Sequence, residues 1–153
     1  MSYTTVLVGT DGSESSLLAV DRAAEVAAAS SALLIVVCAY TPMTAQEQAT
    51  ASLPLGDVRL THVHGNAAAQ HALSAATARA GAAGASGVTG VLVEDDPAEA
   101  LLAVAQQRSA ELIVVGNRGI NTWSGRLLGS VPSDVAHRAP CDVLIVHTTA
   151  GRS

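Results

Sequence analysis

With 153 residues, the chain is long enough for one packed sheet with covering helices and too short for two such cores, so residues 1–153 are expected to form a single domain. Its net charge of −5, with eight arginines and no lysine against 13 acidic residues, leaves no basic surface of the kind that holds nucleic acid by counterion release. No run approaches the roughly 18 apolar residues needed to cross a bilayer, and the opening MSYTTVLVGTDGS lacks a basic n-region. No membrane role and a cytoplasmic location are therefore expected.

The first apolar run, Thr5 to Val8, reads as a strand. Ser13 to Ala29 carries Leu17, Val20, Ala24 and Ala27 at helical spacing, opened by Ser13 with Ser16 three residues on, and predicts the first helix. Ala32 to Ala39 predicts a second strand. Residues 41–65 show no clear period and are long for a connection in a compact domain; within them Val58 to His64 is a candidate extended piece. Asn66 to Ala80 predicts a helix capped by Asn66 and stopped at Gly81, and Gly81 to Gly90 reads as a turn leading into a third strand, Val88 to Val93. Asp96 to Arg108 predicts a helix with Asp96 as cap, Pro97 at the first helical position, Glu99 completing a capping box, and Leu101, Leu102, Val104 and Ala105 on its buried side. Leu112 to Val115 is the fourth strand, Ser130 to Arg138 a short helix ended by Ala139-Pro140, and Val143 to His147 the fifth strand.

Most of these strands are continuous apolar runs, as strands covered on both faces require. Strand and helix in alternation call for an open doubly wound α/β sheet with right-handed crossovers. Ligands of such sheets sit beyond the carboxyl ends of the strands where the winding reverses. Here that crevice lies between the first and fourth strands, with Asp11 and Gly12 on one lip and Gly116 on the other.

The segment GNRGINTWSGRLLGS, residues 116–130, carries the chemistry. Gly116 leaves backbone free of a Cβ, Gly119 permits a turn that aims N–H groups inward, and Gly129 does the same at the far end. Ser130 is placed to cap the following helix and offer its hydroxyl to a phosphate, while the helix dipole adds about half a positive charge there. Pro132 fits the first turn but contributes no N–H, one donor fewer than Ser or Thr would give. Arg118 is the stronger phosphate candidate and Arg126 reads as a solvated loop residue. Asp11 suits a ribose hydroxyl or a divalent metal, against the plainer reading of an Asp-Gly turn closing the first strand. Trp123 is expected to pack.

Cys38 and Cys141 read as buried reduced thiols rather than a disulfide or metal pair. His62 and His64 alternate on the extended candidate and with His71 form a weak chelating set, explained as well by a polar flank. The absence of lysine excludes a Walker A lysine and a Schiff base, and nothing resembles a nucleophile elbow. Slow ATP hydrolysis has only Asp11, His137 and Arg118 to draw on. The final strand has little charge and nothing after it to cover its open edge, which favours antiparallel pairing with a second copy.

G-x2-G-x9-G-S/T, here Gly116, Gly119, Gly129 and Ser130, is the nucleotide-loop signature of the universal stress protein family, and the chain resembles that family over nearly its whole length, from VLVGTDGSESSLLAVDRAAEVA to CDVLIVHT. It is particularly similar to small single-domain actinobacterial members. The resemblance implies a five-stranded parallel sheet of order 3-2-1-4-5 with helices on both faces, of the adenine nucleotide alpha hydrolase-like type. It implies a homodimer and a non-catalytic site for ATP or another adenine nucleotide, magnesium accompanying ATP, acting as a stress-response sensor or reservoir. By position, Asp11 with Gly9 and Thr10 would lie by the ribose and the backbone near Ala39 and Tyr40 by the adenine. Gly116 with Val115 would lie by the sugar, and Arg118, Gly119, Gly129, Ser130 and Val131 by the phosphates. Some members resembling the actinobacterial type bind cyclic AMP, which a phosphate site shortened by Pro132 accommodates. A slow ATPase, or a dimeric interaction module without nucleotide, is the alternative.

Overall fold

The computed structural model describes residues 2–42, 63–117 and 129–148. In chain order it contains β1 (Thr5–Gly9), α1 (Glu14–Ser30), β2 (Leu33–Thr41), β3 (Val63–His64), α2 (Asn66–Ala82), β4 (Gly87–Glu94), α3 (Pro97–Gln107), β5 (Leu112–Gly116), α4 (Ser130–Arg138) and β6 (Asp142–Val146). Every pairing is parallel, and the five main strands lie side by side as β4, β2, β1, β5, β6. Counted along the chain, this is the expected order 3-2-1-4-5. The two-residue β3 is an addition, paired with Tyr40 and Thr41. The Thr41 carbonyl accepts from Gly65 N at 2.8 Å and the Val37 carbonyl from Thr10 N at 2.9 Å, whereas the Tyr40 carbonyl accepts from Asp95 N of the β4 side. Carbonyls alternate sides along a strand, so β3 extends the row that β1 vacates. Of the expected extended piece Val58 to His64, residues 58–62 lie outside the described residues.

The alternation of side chains sorts the apolar runs into two layers. Val6, Val8, Leu34, Val36, Leu112 and Val114 face one way, against α1 and α2; Leu7, Ile35, Val37, Ile113 and Val115 face the other, against α3 and α4. Aromatic residues make up 2% of the chain and phenylalanine is absent, so volume has to come from close approach of helix to sheet. Ala19, Ala23, Ala24 and Ala27 on α1 and Ala69, Ala72, Ala76 and Ala80 on α2 supply it. A methyl contact surface lets a helix settle near the strands, and the same alanines hide the amphipathic signal in the sequence. Gly9 serves packing too: a Cβ there would stand 3.0 Å from Leu101 Cδ2 of α3.

The helix ends follow local chemistry, with four departures from expectation. Ser13 caps α1 by accepting from Ser16 N, and Asp96 caps α3 by accepting from Ala98 N, with Pro97 first in the helix. Glu99 does not close the capping box: its carboxylate grips Arg138 of α4 at 2.6 and 3.1 Å, and Asp95 Oδ1 serves Asp96 N instead. An ionic partner on the neighbouring helix outcompetes a backbone amide already satisfied. Leu102 is only half-buried, and Ala98 and Ala100 complete the buried side of α3. In α2, Gly65 holds the cap position with φ +90, Asn66 is the first helical residue, and the helix runs through Gly81 to Ala82, because one interior glycine costs only about 1 kcal/mol. In α4, Gly129 occupies the cap position and Ser130 is the first helical residue, without a side-chain capping bond.

Where α1 turns into β2, and again just before β5, a serine takes the left-handed conformation that glycine favours. Ser31 and Ser109 both have φ 54, each followed by a wide closing bond, Ala32 N to Ala27 O at 2.8 Å and Ala110 N to Ala105 O at 2.9 Å. Across the first layer, Arg79 of α2 makes a bidentate pair with Asp21 of α1 at 2.8 and 2.7 Å, and that guanidinium holds the Asp21 carboxyl below its ordinary value.

Two outcomes are expected. Ser31→Gly and Ser109→Gly each raise the melting temperature by the equivalent of about 0.5–1 kcal/mol, since the left-handed penalty for an L-residue, roughly 1–2 kcal/mol, outweighs the added entropy of glycine. Asp21→Asn lowers stability at pH 7 by about 0.5–1 kcal/mol, a modest figure because the pair is partly in solvent. A carboxyl with a lowered folded pKa contributes above its unfolded value and loses that contribution as pH falls through the folded value. The two chains should therefore converge in thermal melts below pH 3.8; a gap that persists unchanged in acid would remove the ion pair as its cause.

Candidate functional site

From β1 the sheet grows one way to β2 and β4 and the other way to β5 and β6, so the winding reverses between β1 and β5. Beyond the carboxyl ends there, helices leaving on opposite faces open a crevice. Thr10, Asp11 and Gly12 follow β1, Ala39 and Tyr40 lie at the end of β2, Val115 and Gly116 end β5, and Gly129, Ser130 and Val131 begin α4. Arg118 and Gly119, with Trp123 and Arg126, lie outside the described residues.

The β1 lip is a folded turn. Thr10 is buried; its N–H donates to Val37 O, and its hydroxyl pairs with Ser16 Oγ at 2.9 Å while accepting from Gly12 N at 3.1 Å. Asp11 Oδ1 accepts from Ser13 N at 2.9 Å, and Gly12 takes φ +85, where a Cβ would be strained and would stand 3.1 Å from Ala72 Cβ of α2. The Asp-Gly turn is thus real, and Asp11 is nonetheless exposed at the crevice. A turn residue with an outward carboxylate can serve both purposes. Its charge reaches the fully buried Cys38: burial first, and Asp11 second, push that thiol up to about 11. Cys141 is half-buried and also raised by burial, and both cysteines are free.

At the end of β2, the Tyr40 hydroxyl accepts from Asn66 Nδ2 at 3.1 Å, and Asn66 Oδ1 accepts from Gln70 Nε2 at 2.6 Å. Asn66, expected as a cap, instead bridges the start of α2 to the end of β2.

The β5 lip is held by residues that sequence reading passed over. Asn117 N donates to Val146 O at 2.9 Å, Asn117 O accepts from Gly129 N at 3.1 Å, and Asn117 Oδ1 accepts from Thr148 N at 2.8 Å and Thr148 Oγ1 at 3.1 Å. Ser15 Oγ of α1 pairs with Thr148 Oγ1. The signal available in the sequence was small polar residues just past two strands, Asn117 directly after β5 and Thr148 two residues after β6. Gly116 has its glycine for this cluster: a Cβ there would meet Thr148 Cγ2 at 3.3 Å and Ser15 Oγ at 3.8 Å, both groups of the chain itself. Gly129 has φ −63 and ψ 167, an extended conformation open to any residue, so its glycine is not required by the turn.

At the start of α4, the first helical bond runs from Ser133 N to Gly129 O at 3.0 Å. The N–H groups of Ser130 and Val131 precede it without a helical acceptor. Pro132, third in the helix, removes the next donor, and its ring is fully buried. His137 stands at the other end of this nine-residue helix with Nδ1 2.8 Å from Ser133 O. His62 lies outside the described residues, among which no three His, Cys, Asp or Glu side chains gather as a metal set. No helix among them is long and apolar enough to cross a membrane.

A model of the universal stress protein family matches residues 2–147. Universal stress protein Rv1636 of Mycobacterium tuberculosis is 47% identical over 148 residues, 97% of this chain and 99% of that protein. A crystal structure of a universal stress protein in complex with cAMP is 45% identical, with 97% of this chain and 100% of that one aligned at a TM-score of 0.72. A universal stress protein from Archaeoglobus fulgidus in complex with dAMP shares the fold at 21% identity and a TM-score of 0.66, over 95% and 98% of the two chains. Matched along almost its whole length by the family model and by a relative of equal extent, this chain belongs to the universal stress protein family.

Proposed function

We propose that this single domain, residues 1–153, binds an adenine nucleotide, ATP or cyclic AMP, in the crevice between β1 and β5, and acts as a non-catalytic sensor or reservoir in the stress response. The observation that carries the proposal is the start of α4, where the N–H groups of Ser130 and Val131 precede the first helical bond at the carboxyl end of the sheet, in a fold whose 45%-identical relative was crystallised with cAMP. In this reading Asp11, with Gly9 and Thr10 behind it, takes the ribose hydroxyls, and the backbone at Ala39 and Tyr40 takes the adenine. Val115 and Gly116 line the sugar, and Arg118, Gly119, Gly129, Ser130 and Val131 take the phosphates. Magnesium would accompany ATP. Hydrolysis is not part of the proposal, since His137 sits roughly 10 Å along α4 from Ser130 at 1.5 Å per residue and is engaged with Ser133. Two free thiols suit a reducing cytoplasm.

The same reading takes the protein as a homodimer through β6. Asp142 N donates to Glu111 O and Val146 O accepts from Asn117 N, so the even-numbered residues of β6 direct their backbone groups to the β5 side. Val143 and Ile145 turn theirs to the open edge, and the Ile145 side chain is exposed there. An edge with so little charge, Asp142 alone at its start, pairs readily with a second copy of itself.

Calorimetry with ATP, ADP and cyclic AMP tests the function directly: binding of at least one is expected, and no uptake at millimolar concentration defeats it. Pro132→Ala restores an N–H to the first turn of α4 and is expected to improve ATP affinity relative to cyclic AMP by about three- to tenfold, one hydrogen bond to a charged group. An unchanged ratio would mean that the helix start does not touch the phosphates. Ile145→Pro deletes an edge N–H without touching the ladder to β5, and sedimentation should then show monomer with the native circular dichroism spectrum. A dimer that survives this substitution pairs elsewhere.

A further inference from the structure

The two ends of the glycine loop meet at one residue. Asn117 begins the loop and Gly129 closes it, and the bond from Gly129 N to Asn117 O, 3.1 Å, joins them into a neck. Asn117 is itself fixed on two further sides, by its N–H on Val146 O of β6 and by its side-chain oxygen on Thr148. Thr148 is 3% exposed, although it follows an edge strand. Its hydrogen bonds have a direction. Asn117 Oδ1 can only accept, so the Thr148 hydroxyl donates to it, and the Ser15 hydroxyl must then donate to Thr148 Oγ1. The Thr148 methyl meanwhile lies over Gly116, where a Cβ would meet it at 3.3 Å. Serine would keep the hydroxyl chain without the methyl, and valine would keep the bulk without the chain.

We propose that Asn117 and Thr148 are positioning residues for the phosphate of the bound nucleotide, acting through the neck. The inference rests on the nucleotide reading above and extends it to residues outside the loop's glycine signature. The N–H groups of Ser130 and Val131 follow directly on Gly129, whose own N–H is held by Asn117. Their aim is therefore set by the position of Asn117, which Thr148 and Ser15 lock to α1 and to the end of β6. Donors at a binding site act fully only when held within about 0.5 Å of the productive geometry. The adenine side of the crevice, at the end of β2, has its own bonds to Asn66 and Gln70 and does not pass through this lock. Thr148 is thus tied to phosphate affinity and independent of base affinity.

The test compares adenosine with AMP by calorimetry in the native chain, Thr148→Val, Thr148→Ser and Asn117→Ala. Thr148→Val and Asn117→Ala should each weaken AMP by about tenfold, the size of one charged-group hydrogen bond, while adenosine stays within about twofold. Thr148→Ser should avoid most of the loss, and Asn117→Ala combined with Thr148→Val should lose no more than the worse of the two alone, because both act on one path. Equal weakening of adenosine and AMP, or a folded Thr148→Val that binds AMP normally, overturns the proposal and leaves the nucleotide reading intact. A native chain that binds neither compound overturns both. Should Thr148→Val not fold, hydrogen exchange in the native chain decides: the amides of Gly129 and Thr148 should be slowed by AMP and not by adenosine, and indifference to AMP counts against the proposal.

Discussion

Helices on both faces of a parallel sheet leave its central strands no contact with water, and that single constraint organises the molecule. β1, β2 and β5 must be apolar at successive positions, and Val6 to Val8, Leu34 to Cys38 and Leu112 to Val115 are all buried. A polar side chain placed inside such a strand would be buried without a partner, at a cost of about 1–3 kcal/mol. Polar chemistry is displaced to the first residues past each strand, where the backbone leaves the ladder. Thr10 and Asp11 after β1, Asn117 after β5 and Thr148 after β6 all stand at such positions, and all face one edge of the sheet. The candidate site is in this sense a consequence of the core.

The same constraint decides what sequence reading could recover. Continuous apolar runs and their separators give the strands and their order, and capping residues such as Ser13 and Asp96 give helix starts, because both signals are local. Alanine is the limit. A helix whose buried face is Ala69, Ala72, Ala76 and Ala80 has nearly the same hydrophobicity all round, so its ends cannot be read from periodicity, and Gly81 looks like a stop when it is only a tolerated interior glycine. Side chains that reach another element are likewise invisible to spacing. Glu99 completes a capping box on paper, yet Arg138, 39 positions away, takes its carboxylate. The crevice and the Asp11 turn were legible; the reasons for individual glycines were not. Gly116 looks like room for a ligand in sequence, and in space it makes room for Thr148.

The two ends of α4 show how one short helix serves core and site together. Pro132 buries its ring and Val135 its side chain, which seats the helix against β5 and β6. The proline also deletes a donor from the first turn, so the element that anchors the helix is the one that trims its capacity for anions.

The β6 edge and the glycine loop are usually thought of as separate surfaces, one for a partner chain and one for a ligand. In this protein they lie on opposite sides of one strand: Val143 and Ile145 turn their backbone groups to the open edge, and Val146 turns its carbonyl to Asn117. Val146, the last residue of β6, gives its carbonyl to Asn117 N, and Thr148, two residues on, gives Asn117 Oδ1 both its donors. Ser15 joins the same cluster from the first turn of α1, just after the Asp11 turn. The end of β6 is thus tied to the neck of the loop through four hydrogen bonds, counting that between Asn117 Nδ2 and His147 Nδ1, and to the first turn of α1 through a fifth. A route this short needs no long chain of coupled side chains. It requires only that the Asn117 cluster have two arrangements of similar energy, because a network with one arrangement transmits nothing however well connected it is.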